Sequence, residues 1–62
     1  MNKLKKNRLR NKMSFIDLSK KSGVNASYIC KLERGVNKNP SLIICLKLAK
    51  ALNTSIEELF LN

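Results

Sequence analysis

The side chains of this sequence that could do chemistry are mostly lysines and arginines. There are 13 of them against four acidic residues, and the 62-residue chain has no histidine, so its formal net charge is +9. General acid–base catalysis usually draws on a histidine or on a pair of carboxylates. The acidic side chains here are Asp17, Glu33, Glu57 and Glu58. The sequence therefore predicts that the chain binds a partner and is not an enzyme.

Two cysteines, Cys30 and Cys45, complete the reactive side chains. Two are too few for the disulfide framework of a small secreted domain, and without histidine they cannot complete a tetrahedral zinc site. Three aromatic residues in a chain this short cannot enclose a large pocket, so we expect no metal, no cofactor and no small-molecule ligand. No apolar run has the length of a signal peptide or a membrane span. We expect a cytoplasmic protein with no membrane contact.

The positive charge is unevenly distributed along the chain. Residues 1–38 hold 11 basic and two acidic residues and carry the whole net charge of +9, whereas residues 39–62 hold two of each and are neutral. An anionic polymer or surface is the natural partner of the basic segment. The charge is consistent with binding to nucleic acid, with binding to a membrane surface and with a basic surface that only keeps the protein soluble. The charge alone does not distinguish these explanations.

The elements that must position these side chains are helices. Apolar residues recur at helical spacing between breaks at Gly23, Gly35, Pro40 and Asn53, and no stretch alternates as a strand would. Residues 14–17 (Ser-Phe-Ile-Asp) and 55–58 (Ser-Ile-Glu-Glu) have the pattern of capping boxes, and Asn25 and Ser41 are good single caps. The sequence predicts five helices, near residues 3–12, 14–21, 25–33, 41–52 and 55–60.

The third predicted helix has two different faces. At about 100° per residue, its apolar arc holds Tyr28, Ile29 and Leu32. The opposite arc is small, polar or basic, and comprises Ala26, Ser27, Cys30, Lys31 and Arg34. Such a helix can approach a DNA major groove closely. An ordinary amphipathic helix has the same periodicity, so the pattern by itself leaves both interpretations open.

The run from Ser14 to Gly35, SFIDLSKKSGVNASYICKLERG, resembles the Cro/repressor-type helix-turn-helix family, also called the XRE family. The matching positions are Leu18, Ser19, Gly23, Val24, Ile29, Leu32, Glu33 and Gly35. The similarity continues over roughly residues 4–60. It implies a single all-α domain over residues 1–62, a compact five-helix lambda-repressor-like DNA-binding domain with its helix-turn-helix at helices 2 and 3.

The resemblance also assigns roles to individual residues. The base-reading positions of the family correspond to Asn25, Ala26, Ser27 and Lys31. Those near the DNA backbone correspond to Ser14, Phe15, Tyr28, Arg34, Asn37 and Lys38. The helix 1–helix 3 ion pair of the family corresponds to Arg8 and Glu33. Three features depart from the pattern: Phe15 replaces a common glutamine that steadies the DNA backbone, Asn7 replaces a leucine, and the loop over residues 36–39 is one residue longer than the commonest form. The first departure puts one phosphate contact in question.

The fourth predicted helix is apolar on nearly all sides. Its predicted core face comprises Leu42, Cys45, Leu46, Leu48, Ala49 and Leu52. Ile43 and Ile44 fall outside that face, so we expect them, with Phe60 and Leu61 at the end of the chain, to contribute a partner surface.

The resemblance implies a sequence-specific DNA-binding transcriptional regulator of bacterial or phage type, a repressor that reads double-stranded DNA through helix 3. A domain this small reads few base pairs, so a homodimer on two half-sites is expected. The alternative is a protein-interaction module, such as an antitoxin or an anti-repressor, that uses the same scaffold and binds its partner through Phe15, Ile43 and Ile44.

Overall fold

The computed structural model describes residues 3–36 and 39–60, and this part of the chain forms five α-helices and no strand. The helices are α1 (Leu4–Arg10), α2 (Phe15–Ser22), α3 (Ala26–Glu33), α4 (Leu42–Ala51) and α5 (Ile56–Phe60). The prediction of a five-helix, all-α fold is confirmed. Each helix begins one residue later than predicted. In α2, α3 and α4 the predicted first residue is the N-cap, which lies just outside the helical segment.

Side-chain caps define four of the helix starts. The Ser14 hydroxyl accepts from the Asp17 N–H at 3.0 Å, and Asp17 Oδ2 accepts from the Ser14 N–H at 3.0 Å. The first predicted capping box is therefore confirmed. The side-chain oxygens of Asn25, Ser41 and Ser55 also accept from amides of the following turns, at 2.8, 3.2 and 3.1 Å. Each cap satisfies a backbone donor that the helix itself leaves without a partner.

All five helices contribute to one core. The largest fully buried side chains come from every helix: Leu4, Leu18, Ile29, Leu32, Leu48 and Leu59. Val24 and Leu52 extend this cluster at the ends of the helices. The apolar contact between α2 and α3 is thus part of a core that also includes residues of α1, α4 and α5.

The turn between α2 and α3 depends on Gly23. Its φ is +80°, in the left-handed region, and its N–H donates to the Ser19 carbonyl at 2.8 Å. No heavy atom lies within 4 Å of the position that a Cβ would occupy. The backbone conformation, and not crowding, is therefore what favours glycine here.

The first helix is shorter than predicted. It ends at Arg10, not at residue 12, because Lys12 has a φ of +57° and turns the chain toward α2.

The start of α1 is attached to α5 by the Lys3 N–H, which donates to the Leu59 carbonyl at 2.8 Å. Asn7 is buried, and its Nδ2 donates to the Lys3 carbonyl at 2.9 Å. The polar side chain of Asn7, at a position where the family usually has a leucine, thus has a hydrogen-bond partner in the backbone one turn earlier.

The predicted core face of α4 was partly wrong. Leu42 and Leu46 are 66% and 48% exposed, whereas Ile44, expected outside the core, is partly buried and packs against it. At 3.6 residues per turn, Leu42 and Leu46 lie roughly 120° and 160° around the helix from the buried Leu48. The contacts of α4 with α2 and α5 select the buried face. The composition of α4 does not identify that face, because apolar residues surround the helix.

Candidate nucleic-acid interface

An exposed polar stripe runs along α3. Ser27, Lys31 and Arg34 are all exposed, at the spacing i, i+4 and i+7 that aligns side chains on one side of a helix. Ile29 and Leu32, on the other side, are fully buried in the core. The core therefore fixes the rotation of α3 and presents this polar stripe to solvent.

The other two predicted base-reading residues, Asn25 and Ala26, lie at the start of α3 and differ in exposure. Asn25 is exposed, but its Oδ1 accepts from the amides of Ser27 and Tyr28, at 2.8 and 3.4 Å. The cap uses the Oδ1 atom of Asn25 and not its Nδ2 group. Ala26 is half-buried, and Tyr28 packs against the edge of the core. Asn25 and Ser27 are thus the exposed residues of this turn.

A buried ion pair attaches α3 to α1. Arg8 Nε lies 2.6 Å from Glu33 Oε2, and Arg8 Nη2 lies 3.2 Å from Glu33 Oε1. The third guanidinium nitrogen, Nη1, donates to the Met13 carbonyl at 2.8 Å. The two side chains are only 8% and 3% exposed. This bidentate geometry fixes the C-terminal end of α3 relative to α1 and to the segment that leads into α2.

The Phe15 side chain contacts Arg8 and the core. Its ring stacks on the Arg8 guanidinium, with 4.2 Å between Arg8 Cζ and the ring centroid, and the side chain packs against the core. A phenyl ring donates no hydrogen bond to a phosphate, so the side chain cannot replace the glutamine of the family. The assignment of Phe15 to the DNA backbone stays a prediction, and it concerns the backbone amide of this residue. Sequence reasoning missed the contact of the ring with Arg8 because no periodic pattern relates Arg8 to Phe15.

The N-terminus of α2 keeps backbone donors available. The capping box engages the amides of Ser14 and Asp17, whereas those of Phe15 and Ile16 lie at the open end of the helix. An anion is favoured at such an end. The carboxylate of Asp17 is itself present there, and hydrogen bonds from the backbone and side chain of Ser14 lower the pKa of Asp17. Ser14 thus serves the helix cap, and the amides of Phe15 and Ile16 take no part in that cap.

Further basic side chains are exposed on neighbouring parts of the chain. Beyond the α3 stripe, α1, α2 and the turn after α1 expose Lys5, Lys6, Arg10, Lys12, Lys20 and Lys21. Asn37 and Lys38, which we expected near the DNA backbone, lie outside the described residues.

The expected partner surface is only partly present in the described residues. Ile43 is 60% exposed, but Ile44 and Phe60 are partly buried and pack against the core. Leu61 lies outside the described residues. Of the three residues named for the protein-interaction alternative, Ile43 is exposed, whereas Phe15 and Ile44 are partly buried and pack against the core.

The described residues were also compared with the requirements of a metal site, a membrane span and a reactive thiol. Residues 3–36 and 39–60 contain no cluster of three or more potential metal ligands, and none of their helices is long and apolar enough to cross a bilayer. Both cysteines are free thiols, and burial raises the pKa of Cys45. A protonated, buried thiol is a poor nucleophile, so Cys45 acts as a small apolar core residue.

Comparison with known proteins gives the family. The family model HTH_3, described as helix-turn-helix, matches residues 4–59. The chain is 42% identical over 53 residues to the HTH-type transcriptional regulator SlrR of Bacillus subtilis (strain 168). That match covers 86% of this chain and 35% of SlrR, so the chain spans about a third of the relative's length. No solved structure matches the chain. The matched region contains the capped α2, the Gly23 turn and α3, and the chain belongs to the HTH_3 helix-turn-helix family.

Proposed function

We propose that this chain is a sequence-specific DNA-binding transcriptional regulator that reads the major groove with α3. The observation that carries the proposal is the exposed stripe of Ser27, Lys31 and Arg34, opposite the buried Ile29 and Leu32, in a helix-turn-helix family member. The similarity to SlrR, a protein named as a transcriptional regulator, supports the same role.

Each predicted base-reading residue of α3 and its N-cap would make a different kind of base contact. The Lys31 ammonium group can donate to O6 and N7 of guanine, and the Asn25 Nδ2 group, left by the cap, can donate to a base acceptor. Ser27 can donate or accept, so it contributes little discrimination, whereas the Ala26 methyl group can contact a thymine methyl group. Lys31 is therefore the residue on which specificity depends most.

Phosphate contacts would hold α3 in the groove. We assign them to the α2 amides of Phe15 and Ile16, to Arg34 at the end of α3, and to Asn37 and Lys38 in the loop that follows. Six more exposed basic residues on α1, α2 and the turn after α1 add long-range attraction to the DNA. Such contacts set affinity and register but carry no sequence information.

The regulator would act sterically and without chemistry. We propose that it is a repressor in the cytoplasm of a bacterium, encoded by the bacterium or by a phage, and that occupancy of its operator blocks RNA polymerase. Two copies would occupy half-sites about 34 Å apart, one helical turn of DNA, because one α3 helix reads only a few base pairs.

Selection of bound duplexes from a random DNA pool at near-physiological salt tests this function. The proposal predicts enrichment of a palindrome whose half-sites are one turn apart. It also predicts that log affinity falls by about 0.9 per log salt for each phosphate contacted. A folded protein that enriches no sequence would contradict specific recognition, and an affinity for random DNA that does not change with salt would contradict DNA binding itself.

A further inference from the structure

The start of α2 is held by the side chain of Arg8 from α1. Leu18, the buried residue of α2, lies one turn beyond the start of that helix. Ahead of it, the Met13 carbonyl accepts from Arg8 Nη1 at 2.8 Å, and the Phe15 ring covers the guanidinium, with 4.2 Å between Arg8 Cζ and the ring centroid. Met13 and Phe15 flank Ser14, the N-cap of α2. Arg8 therefore fixes the chain on both sides of this N-cap.

The same guanidinium holds the C-terminal end of α3. Nε and Nη2 of Arg8 bind the two carboxylate oxygens of Glu33, the last residue of α3, at 2.6 and 3.2 Å. Two parallel hydrogen bonds fix the plane of a guanidinium group as well as its place. The face on which the Phe15 ring rests is therefore set by α3, and one side chain connects the start of α2 with the end of α3.

The aromatic character of Phe15 strengthens this connection. The distance of 4.2 Å is well within the range of about 6 Å over which the face of a ring attracts a cation. The half-buried ring also packs against the core. An aliphatic side chain at this position would keep part of the packing but would not attract the guanidinium, so the stacking depends on the ring of Phe15.

The two ends that Arg8 connects have different tasks in the proposed DNA complex. The start of α2 would contact a phosphate through the amides of Phe15 and Ile16, and α3 would contact bases. Phosphate contacts set the register in which a recognition helix meets the bases. Operator binding needs both kinds of contact at the same time, whereas binding to random DNA needs the phosphate contacts alone. Movement of the start of α2 relative to α3 would therefore lower the affinity for the operator more than the affinity for random DNA.

We infer that Phe15 is a positioning residue for sequence-specific DNA binding. By stacking on Arg8, its ring holds the phosphate-contacting start of α2 in register with α3. It thereby raises the preference for the operator without contacting a base. The inference rests on the proposed function and adds to it a specificity-determining residue outside α3.

The test compares the wild-type chain with Phe15→Leu, which removes the stacked ring, and with Phe15→Tyr, which retains it. The matched control is Ile16→Ala, because Ile16 is the next residue of the same turn and is 56% exposed. Binding to the selected operator and to random duplex DNA is measured over a range of salt concentrations, at a temperature at which circular dichroism shows each protein to be folded. Phe15→Met, whose flexible side chain fills gaps in a core, replaces Phe15→Leu if that variant does not fold.

The ratio of the two affinities is the decisive quantity. In Phe15→Leu the start of α2 has to be ordered on binding, which is comparable to the immobilisation of one side chain. We expect its affinity for the operator to fall about two- to tenfold more than its affinity for random DNA. The salt dependence should not change, since no phosphate contact is lost. Phe15→Tyr and Ile16→Ala should keep the wild-type ratio.

The opposite results separate this inference from the proposed function. A wild-type ratio in Phe15→Leu overturns the inference while the proposed function stands, because a merely structural role lowers both affinities equally. A weaker salt dependence in Phe15→Leu indicates a direct phosphate contact of the side chain and overturns it as well. So does an equal loss of the ratio in Phe15→Tyr or in Ile16→Ala. A wild-type chain that prefers no operator contradicts the proposed function and this inference together.

Discussion

The buried ion pair between Arg8 and Glu33 gives the most direct prediction about stability. Glu33→Ala removes the carboxylate that holds two nitrogens of the guanidinium, at 2.6 and 3.2 Å. The arginine side chain is only 8% exposed, so water cannot replace the lost partner without local rearrangement. Breaking a buried pair on one side usually costs about 3–5 kcal/mol.

That loss is large for a chain of this length. At roughly 0.05–0.15 kcal/mol per residue, a 62-residue domain has a free energy of unfolding of about 3–9 kcal/mol. Glu33→Ala is therefore expected to leave a substantial unfolded population at 25 °C. Arg8→Ala should cost at least as much, because it also removes the hydrogen bond to the Met13 carbonyl and the stacking on Phe15. The double variant Arg8→Met/Glu33→Leu should be more stable than either single variant, since no charge is left unpaired.

Urea unfolding monitored by circular dichroism measures these differences. With a slope near 1 kcal/mol per molar urea for a small domain, the midpoint for Glu33→Ala should fall by about 3 M or more. Glu57→Ala removes the same charge from an exposed site on α5 and should change stability by less than about 1 kcal/mol. Equal, small losses for Glu33→Ala and Glu57→Ala would refute the reasoning that a buried pair attaches α3 to α1.

Three further predictions concern the turn, the stacked ring and the capping box. Gly23→Ala should destabilise the fold by about 1–2 kcal/mol in thermal unfolding, because its φ of +80° disfavours an L side chain; an unchanged melting temperature would contradict this. Phe15→Leu should lose about 0.5–2 kcal/mol in urea unfolding through the missing cation–π contact, in addition to packing against the core, and should lose less in an Arg8→Met background, where only the packing is lost; equal losses in both backgrounds would contradict the cation–π contact. The pKa of Asp17 is lowered below 3.8 in the folded state, so its contribution is present above that pH and lost as pH falls through the folded pKa. Asp17→Asn should weaken this part of the acid dependence of unfolding, and an identical pH profile would contradict the capping role.

The helix starts and the α2–α3 turn could be predicted from the sequence because local residues determine them. Ser14, Asn25 and Ser41 have side chains that compete for the backbone donors of the next turn, and each is an N-cap in the structure. Gly23 adopts the left-handed conformation that its position between two helices requires. The core residues Leu18 and Ile29 follow from helical periodicity within α2 and α3.

The remaining features depend on contacts between elements. Helix α4 is apolar on most sides, so its sequence could not show that Leu42 and Leu46 face solvent. The stacking of Phe15 on Arg8 brings together residues of different helices, and the guanidinium is fixed in place by Glu33 and by the Met13 carbonyl. The buried Asn7 is satisfied by a backbone carbonyl, which residue type alone does not predict.

The most direct test of sequence-specific recognition is the effect of Lys31→Ala on specificity, with Lys20→Ala as the control. Both substitutions remove one exposed positive charge, the first from the α3 stripe and the second from α2. Affinity for the selected operator and for random duplex DNA should be measured at the same salt concentration. We predict that Lys31→Ala loses an additional 1–3 kcal/mol, about 5- to 150-fold, on the operator alone, whereas Lys20→Ala weakens both DNAs equally. Equal losses on both DNAs for Lys31→Ala would contradict base reading by α3.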